Sequence, residues 1–188
     1  MKKLFIASAI AMTMAAGSVM AADDGGGQAV QAPGNQQSEI QFLGVVSSVT
    51  CDINASVNGN ATNIVQLGSV AVGSEGKPVD FALKAKDATQ PGCAGLGTKV
   101  ANIVFQGPLG DLGLENGTGT ATKAHVSLKT LNAKDTNEVD IKKGSNTVTF
   151  PGDAVVGEGY KFQAKLVSET GGSEGTFDSA LAYAVTYQ

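Results

Sequence analysis

Apolar and polar residues alternate along short stretches of this chain, and clusters of Gly, Asn and Asp separate these stretches. In PVDFALK, for example, Val79, Phe81 and Leu83 fall on one face. The same period of two recurs in IQFLGVVSSVTCDI, NIVQLGSVAV, KVANIVFQG, AHVSLKTL, NTVTF, YKFQAKLV and LAYAVTY. This pattern predicts an all-β domain of roughly eight short strands, arranged as an immunoglobulin-like β-sandwich. Only VDFALKAKDATQ contains a short helical pattern, which we expect Pro91-Gly92 to end.

The C-terminal stretch is apolar up to the end of the chain. Leu181, Tyr183, Val185 and Tyr187 alternate there with small residues. An apolar strand in this position is prone to aggregation unless another strand or segment covers it. In a sandwich that lacks one strand, an extended segment of another molecule can supply both backbone hydrogen bonds and alternating side chains.

A second stretch of this kind lies near the start of the predicted domain. Ile40, Phe42, Gly44 and Val46 occupy one face of residues 38–46. Residues 22–37, ADDGGGQAVQAPGNQQ, precede them and contain almost no side chains to bury, which predicts a flexible extension. We therefore expect residues 47–188 to form the folded domain.

Residues 1–21 have the pattern of a cleaved export signal. Lys2 and Lys3 precede an apolar run that ends in Val19-Met20-Ala21, and cleavage after Ala22 also fits the pattern. Removing these 21 of the 188 residues leaves 167, which suits one domain. No later stretch is apolar enough to span a membrane.

The charge of the exported chain narrows the range of partners. It contains 11 lysines, 17 acidic residues and no arginine, which gives a net charge of −6. Because the chain has neither a basic face nor the planar guanidinium that grips phosphate, we exclude nucleic acid and phosphorylated substrates as partners.

The chain has two cysteines, Cys51 and Cys93. Export to an oxidising compartment predicts that they form a disulfide. The alternative, a redox or metal site, needs a nearby second cysteine or a histidine cluster, and the chain has one histidine, His125.

The remaining candidate chemistry is sparse. His125 and Ser127 share a strand face, but no nucleophile-elbow motif accompanies them, so we interpret His125 as a surface or rim residue. DINASVNGN resembles a calcium loop, but Val57 stands where that loop needs glycine and Asn63 where it needs glutamate. We expect neither enzymatic activity nor a bound metal or cofactor.

The order and spacing of several motifs resemble the major structural subunits of chaperone-usher fimbriae (pili). The first motif is IQFLGVVSSVTC, in which Gly44 lies seven residues before Cys51, and the second is NIVQLGSVAV, about ten residues after that cysteine. The third is the second cysteine, Cys93. The fourth is the end of the chain, where Gly175 is the fourteenth residue from the last and Tyr187 is the penultimate residue. VNGNATNIVQLGSVAV followed by VDFALK is similar to enterobacterial type 1-like and host-colonising fimbrial subunits.

This resemblance implies an incomplete immunoglobulin-like sandwich that lacks its last strand. A periplasmic chaperone would fill the open groove, and at an outer-membrane usher the donor strand of the next subunit would replace the chaperone. Residues 38–46 would then be the donor strand, with Ile40, Phe42, Gly44 and Val46 entering a neighbour's groove. The groove and chaperone-binding strand would include the following residues: Gly175, Leu181, Tyr183, Val185 and Tyr187.

The resemblance also implies export through the periplasm to a cell-surface fimbrium that contributes to adhesion. The chain departs from the family pattern ahead of Ile40, where its extension is longer. Two alternatives stay open. One is a lectin-like major subunit that binds host glycans, with Lys142 and Lys143 facing acidic sugars, although a solvated turn accounts for this pair as well. The other is a minor or initiator pilus subunit.

Overall fold

The structure is a computed structural model that describes residues 51–136 and 138–188, so the predicted signal, extension and donor strand lie outside the described residues. Its ten strands are β1 (Ile53–Val57), β2 (Asn60–Ala61), β3 (Val79–Ala85), β4 (Val100–Gln106), β5 (Leu109–Gly110), β6 (Gly113–Glu115), β7 (Thr122–Thr130), β8 (Thr147–Pro151), β9 (Tyr160–Ser173) and β10 (Ala182–Tyr187). A one-turn helix, α1 (Pro91–Ala94), and 3₁₀ helices at Leu96–Thr98 and Gly152–Val156 complete the described elements.

The strands form two antiparallel sheets. The larger sheet has the order β2-β1-β3-β9-β7-β6-β5, and the smaller sheet has the order β10-β4-β8. Buried residues from both sheets belong to one hydrophobic cluster. The all-β, immunoglobulin-like sandwich predicted from the alternation is therefore confirmed.

Phe162 on β9 joins the two sheets at the centre of this cluster. Its ring centroid lies 5.5 Å from that of Phe105 on β4 and 5.4 Å from that of Phe150 on β8, both edge-on. A third ring, Phe81 on β3, stacks on Phe162 at 5.3 Å. Edge-to-face pairs add about 0.5–1.5 kcal/mol each beyond burial, so Phe162 is a main contact between the sheets.

The prediction of a strand in NIVQLGSVAV is wrong. Residues 63–73 belong to no strand, although Val65, Leu67 and Val70 pack against the core. Gly68 has a φ of 73°, which breaks the extended backbone in the middle of this segment. The alternation therefore reports which side chains are buried, but not a hydrogen-bonded strand.

The prediction of a helical turn in VDFALKAKDATQ is also wrong. Its first half is β3, and the helix begins at Pro91 instead of ending there. Proline is tolerated in the first turn of a helix because its missing N–H would have no partner at that position.

The stretch DINASVNGN forms β1 and the turn into β2. Val57 pairs with Asn60, so Asn58 and Gly59 make a two-residue turn, and their φ angles are 52° and 80°. Positive φ at both positions is the type I′ turn that Asn-Gly favours in hairpins. This turn accounts for the polar residues there without a bound metal.

The predicted disulfide is present. Cys51 and Cys93 are bonded across a sequence separation of 42, with their Cα atoms 4.8 Å apart. The bond ties the residues just ahead of β1 to α1, where Cys93 is buried against the core.

We expect the double substitution Cys51→Ser and Cys93→Ser to lower the free energy of unfolding by roughly 4 kcal/mol, because the unfolded chain regains the entropy of a 43-residue ring. Urea unfolding followed by circular dichroism measures this change. Reductant should destabilise the wild-type chain by a similar amount and leave the double variant unchanged. Equal stability of the wild type and the double variant in the absence of reductant would contradict the prediction.

Candidate assembly groove

Strand β10 lies at the edge of the smaller sheet. It pairs with β4 through six residues in register, from Ala182 opposite Gln106 to Tyr187 opposite Ala101. Within residues 51–136 and 138–188, no strand pairs with the other edge of β10.

The hydrogen-bond phase of β10 determines which backbone groups face that edge. Gln188 and Val100 exchange two backbone bonds, of 3.0 and 2.9 Å, so they form a hydrogen-bonded pair. Such pairs alternate along an antiparallel ladder, and the N–H and C=O groups of Tyr183, Val185 and Tyr187 therefore point away from β4. These groups have no backbone partner in the described part of the chain.

Four of the predicted groove residues lie on β10 or directly before it, and one of the four differs from the others. Leu181, Val185 and Tyr187 are half-buried and pack against the core. Tyr183 instead remains 36% exposed, and its hydroxyl donates a hydrogen bond of 3.3 Å to the carbonyl oxygen of Ile53 on β1. Because Ile53 belongs to the larger sheet, the Tyr183 side chain crosses the gap between the two sheets.

Tyr160 on β9, which the sequence analysis did not single out, lies next to Tyr187. Its buried hydroxyl donates to the carbonyl oxygen of Gly152 at 3.0 Å and lies 3.5 Å from the Tyr187 hydroxyl. Burial strongly raises the pKa of Tyr160, with the adjacent Tyr187 hydroxyl as a second cause. Burial also raises the pKa of Tyr187. This end of β10 therefore favours neutral tyrosines.

Residues 63–73 form a second stretch with few backbone partners. Among the described residues, Val65 to Gly73 take part in one backbone-to-backbone hydrogen bond. In that bond the N–H of Ser74 donates to the carbonyl oxygen of Ala71 at 3.1 Å. Ile64 is 63% exposed and Val72 is 41% exposed. Apolar chain with unpaired backbone is thus present in this segment as well as at β10.

Gly175 lies apart from the other predicted groove residues. It stands ahead of β10, and a Cβ added there would lie 2.5 Å from the backbone nitrogen of Ala121. The amide of Asn116 links the same two loops, since its oxygen accepts from the N–H of Asp178 at 2.9 Å and its nitrogen donates to the carbonyl oxygen of Thr176 at 3.2 Å. A close approach of two loops therefore requires glycine at this position.

The sequence analysis considered Lys142 and Lys143 for sugar binding and His125 for catalysis, and the structure describes all three residues. Lys142 begins a tight turn in which it exchanges backbone hydrogen bonds with Ser145, so the interpretation of Lys142 and Lys143 as a turn is confirmed. The His125 side chain on β7 is 13% exposed, which fits a rim position and not an open surface position, and its Nδ1 lies 3.4 Å from the carboxylate of Glu169.

Among residues 51–136 and 138–188, no group of three or more His, Cys, Asp or Glu side chains could hold a metal ion. None of the helices found in this same part of the chain is long and apolar enough to cross a membrane.

The raised pKa of Tyr160 predicts lower stability in alkali. A tyrosine in the unfolded chain ionises near pH 10, whereas buried Tyr160 keeps its proton, so the free energy of unfolding falls by about 1.4 kcal/mol per pH unit above that pH. We expect Tyr160→Phe to lack this contribution. Urea unfolding of both chains at several values between about pH 9 and 11 measures the two slopes. Equal slopes would contradict the prediction.

Comparison with known proteins places the chain among the subunits of fimbriae. It is 38% identical to the F107 fimbrial protein of Escherichia coli, with 100% of both chains covered. It is 28% identical over 158 residues to the K99 fimbrial protein of Escherichia coli, covering 79% of this chain and 85% of that protein. The crystal structure of the P pilus rod subunit PapA matches 81% of this chain and 100% of that chain, at 19% identity and a TM-score of 0.39.

No protein-family profile matches the chain. The full-length similarity to the F107 fimbrial protein nevertheless exceeds what a shared fold alone would produce. This chain belongs to the fimbrial protein family.

Proposed function

We propose that this fimbrial subunit polymerises by donor-strand exchange, in which residues 38–46 of one copy pair along the free edge of β10 in the next. The observation that carries this proposal is the unpaired row of backbone groups at Tyr183, Val185 and Tyr187, which lies beside half-buried core side chains. A strand added there gains backbone hydrogen bonds and covers apolar surface in one step.

The proposed donor strand matches β10 in length and period. Ile40, Phe42, Gly44 and Val46 alternate over the same number of residues as the four odd-numbered positions from Leu181 to Tyr187. Two residues of strand advance about 6.8 Å, so four side chains on each strand cover the same distance. Residues 63–73, with their unpaired backbone, would form the opposite wall of the groove.

The same edge supports a role for other partners before assembly. A periplasmic chaperone would occupy β10 and keep this apolar strand from aggregating, and an outer-membrane usher would exchange the chaperone for a donor strand. The subunit would then act at the cell surface as a structural part of an adhesive fimbria and not as an enzyme.

Deletion of residues 38–46 tests the donor strand. The variant should still be recovered with its chaperone, because its own groove is intact, but it should form no SDS-resistant polymers. A deletion of equal length within the extension, residues 26–34, is the matched control and should polymerise normally. Polymer formation by the first variant would contradict the mechanism.

A peptide experiment separates loss of the donor strand from misfolding. Added to the chaperone complex of the variant that lacks residues 38–46, the peptide SEIQFLGVV should displace the chaperone and give a subunit–peptide complex that resists SDS. The same peptide with Phe42→Asp should not do so, because the charge would have to enter the groove.

Gly44 gives a second prediction that concerns the shape of the groove. A glycine inside an apolar strand fits a place where another group approaches closely. The Tyr183 side chain crosses the gap between the sheets to reach Ile53, and we place Gly44 of the donor opposite it. Gly44→Leu should fold and bind chaperone yet give few polymers, as measured by the yield of SDS-resistant ladder.

The variant Gly44→Leu with Tyr183→Ala is the matched test of that position, because removing the ring makes room for the leucine. We expect this double variant to recover polymers, and Tyr183→Ala alone to polymerise. Normal yield from Gly44→Leu would contradict the shallow groove. A double variant that stays monomeric would contradict the pairing with Tyr183.

A further inference from the structure

The outer faces of the two sheets differ in charge. The larger sheet carries every ion pair found in the described residues. Lys165 pairs with Glu75 at 2.5 Å and Lys129 with Glu138 at 3.0 Å, while Lys161 pairs with Glu158. Mixed charges of this kind are typical of a surface in contact with water.

The smaller sheet has an outer face without charge. On β4, Ala101, Ile103 and Phe105 are buried, so the residues between them point away from the core. The strand register arranges these residues in two cross-strand rows, Ala184–Val104–Thr147 and Thr186–Asn102–Thr149. We call these six residues the uncharged face.

The uncharged face contains small side chains and one exposed apolar residue. Val104 is 41% exposed, between Ala184 on one side and Thr147 on the other. Lys143 borders the face near Val104 and Asn146. Surfaces of soluble β proteins normally carry charges that keep sheets from associating, and charges are absent from this face.

We propose that the uncharged face packs against another copy of this chain within the fibre, in a contact separate from the donor strand. This inference rests on the proposed function, because it assumes that copies are linked through β10. Small side chains allow another surface to approach the backbone closely, and every copy in a homopolymer presents the same face.

The sequence of the proposed donor strand favours another subunit over the chaperone as the occupant. Leu43 and Val45 alternate with the groove-facing residues, so in a docked donor strand they would lie on the outer side. There they would extend the uncharged face beyond Ala184 and Thr186. In the proposed assembly, this larger apolar surface would form only once the donor strand has replaced the chaperone, when the neighbouring molecules would be other subunits.

Linkage through the donor strand also strengthens a weak face-to-face contact. Subunits held in one fibre meet at a high effective concentration, so a contact too weak to join free molecules can still order a polymer. The uncharged face would therefore determine how the linked subunits coil, while the donor strand keeps them together.

The substitution Val104→Lys tests this assignment, with Thr147→Lys as a second variant at an exposed position. Gln163→Lys is the matched control, since it adds the same charge to the ion-paired sheet beside Asp80, whose carboxylate lies 2.8 Å from the Gln163 amide. Each variant is expressed with its chaperone and usher. The readouts are chaperone-complex yield, SDS-resistant polymers, and the helical repeat and mass per unit length of fibres by electron microscopy.

We expect Val104→Lys and Thr147→Lys to keep the chaperone complex and the SDS-resistant polymers but to lose the regular helical repeat, with a lower mass per unit length. Gln163→Lys fibres should match the wild type. If both test variants formed fibres with the wild-type helical repeat, the proposal would be overturned. Loss of the chaperone complex in these variants would also overturn it, because the face would then bind the chaperone. Failure of donor-strand exchange has a different signature, the absence of SDS-resistant polymers from the wild type.

Discussion

The proposed assembly of this subunit depends on one edge of its smaller sheet, the side of β10 that faces away from β4. The backbone groups of Tyr183, Val185 and Tyr187 point toward that edge, and they find no backbone partner within residues 51–136 and 138–188. These unpaired groups gain from hydrogen-bond partners, and the half-buried side chains of Val185 and Tyr187 beside them gain from cover. Both needs arise at the same residues, so a single extended segment can meet them together. The proposed assembly mechanism follows from this coincidence.

The rest of the sandwich is organised so that the smaller sheet stays in place despite this edge. Phe162 on β9 contacts Phe105 and Phe150 on β4 and β8, which anchors two of the three strands to the larger sheet. β10 is attached to this anchored pair through its ladder with β4 and through Tyr187, next to Tyr160. The core therefore holds β10 in register while leaving its outer side available.

Much of the fold could be predicted from the sequence because burial leaves a period of two. The face of β9 that begins at Tyr160 is buried as its alternation predicts, and the β10 pattern gives three of four core contacts. Tyr183 is the exception, because its length lets the hydroxyl reach Ile53 on the other sheet, and no local pattern encodes that distance.

Other features depend on contacts between distant segments or on turn chemistry. Residues 63–73 alternate like a strand but have no ladder partner among the described residues, and alternation alone cannot supply one. Gly175 is fixed by the approach of a loop more than fifty residues earlier, which its position near the C-terminus could not reveal. The turn at Asn58 and Gly59, by contrast, depends on local chemistry, since Asn-Gly between two strand patterns is a strong hairpin signal.

The position of the disulfide has a mechanical consequence for a fibre assembled in this way. Tension along the fibre would enter each subunit through the segment just before Cys51 and leave through hydrogen bonds along β10. Without a covalent bond at Cys51, pulling would peel β1 from the larger sheet one residue at a time. The bond between Cys51 and the buried Cys93 would instead pass part of that force directly to the core, so that the β1 hairpin would not bear it alone.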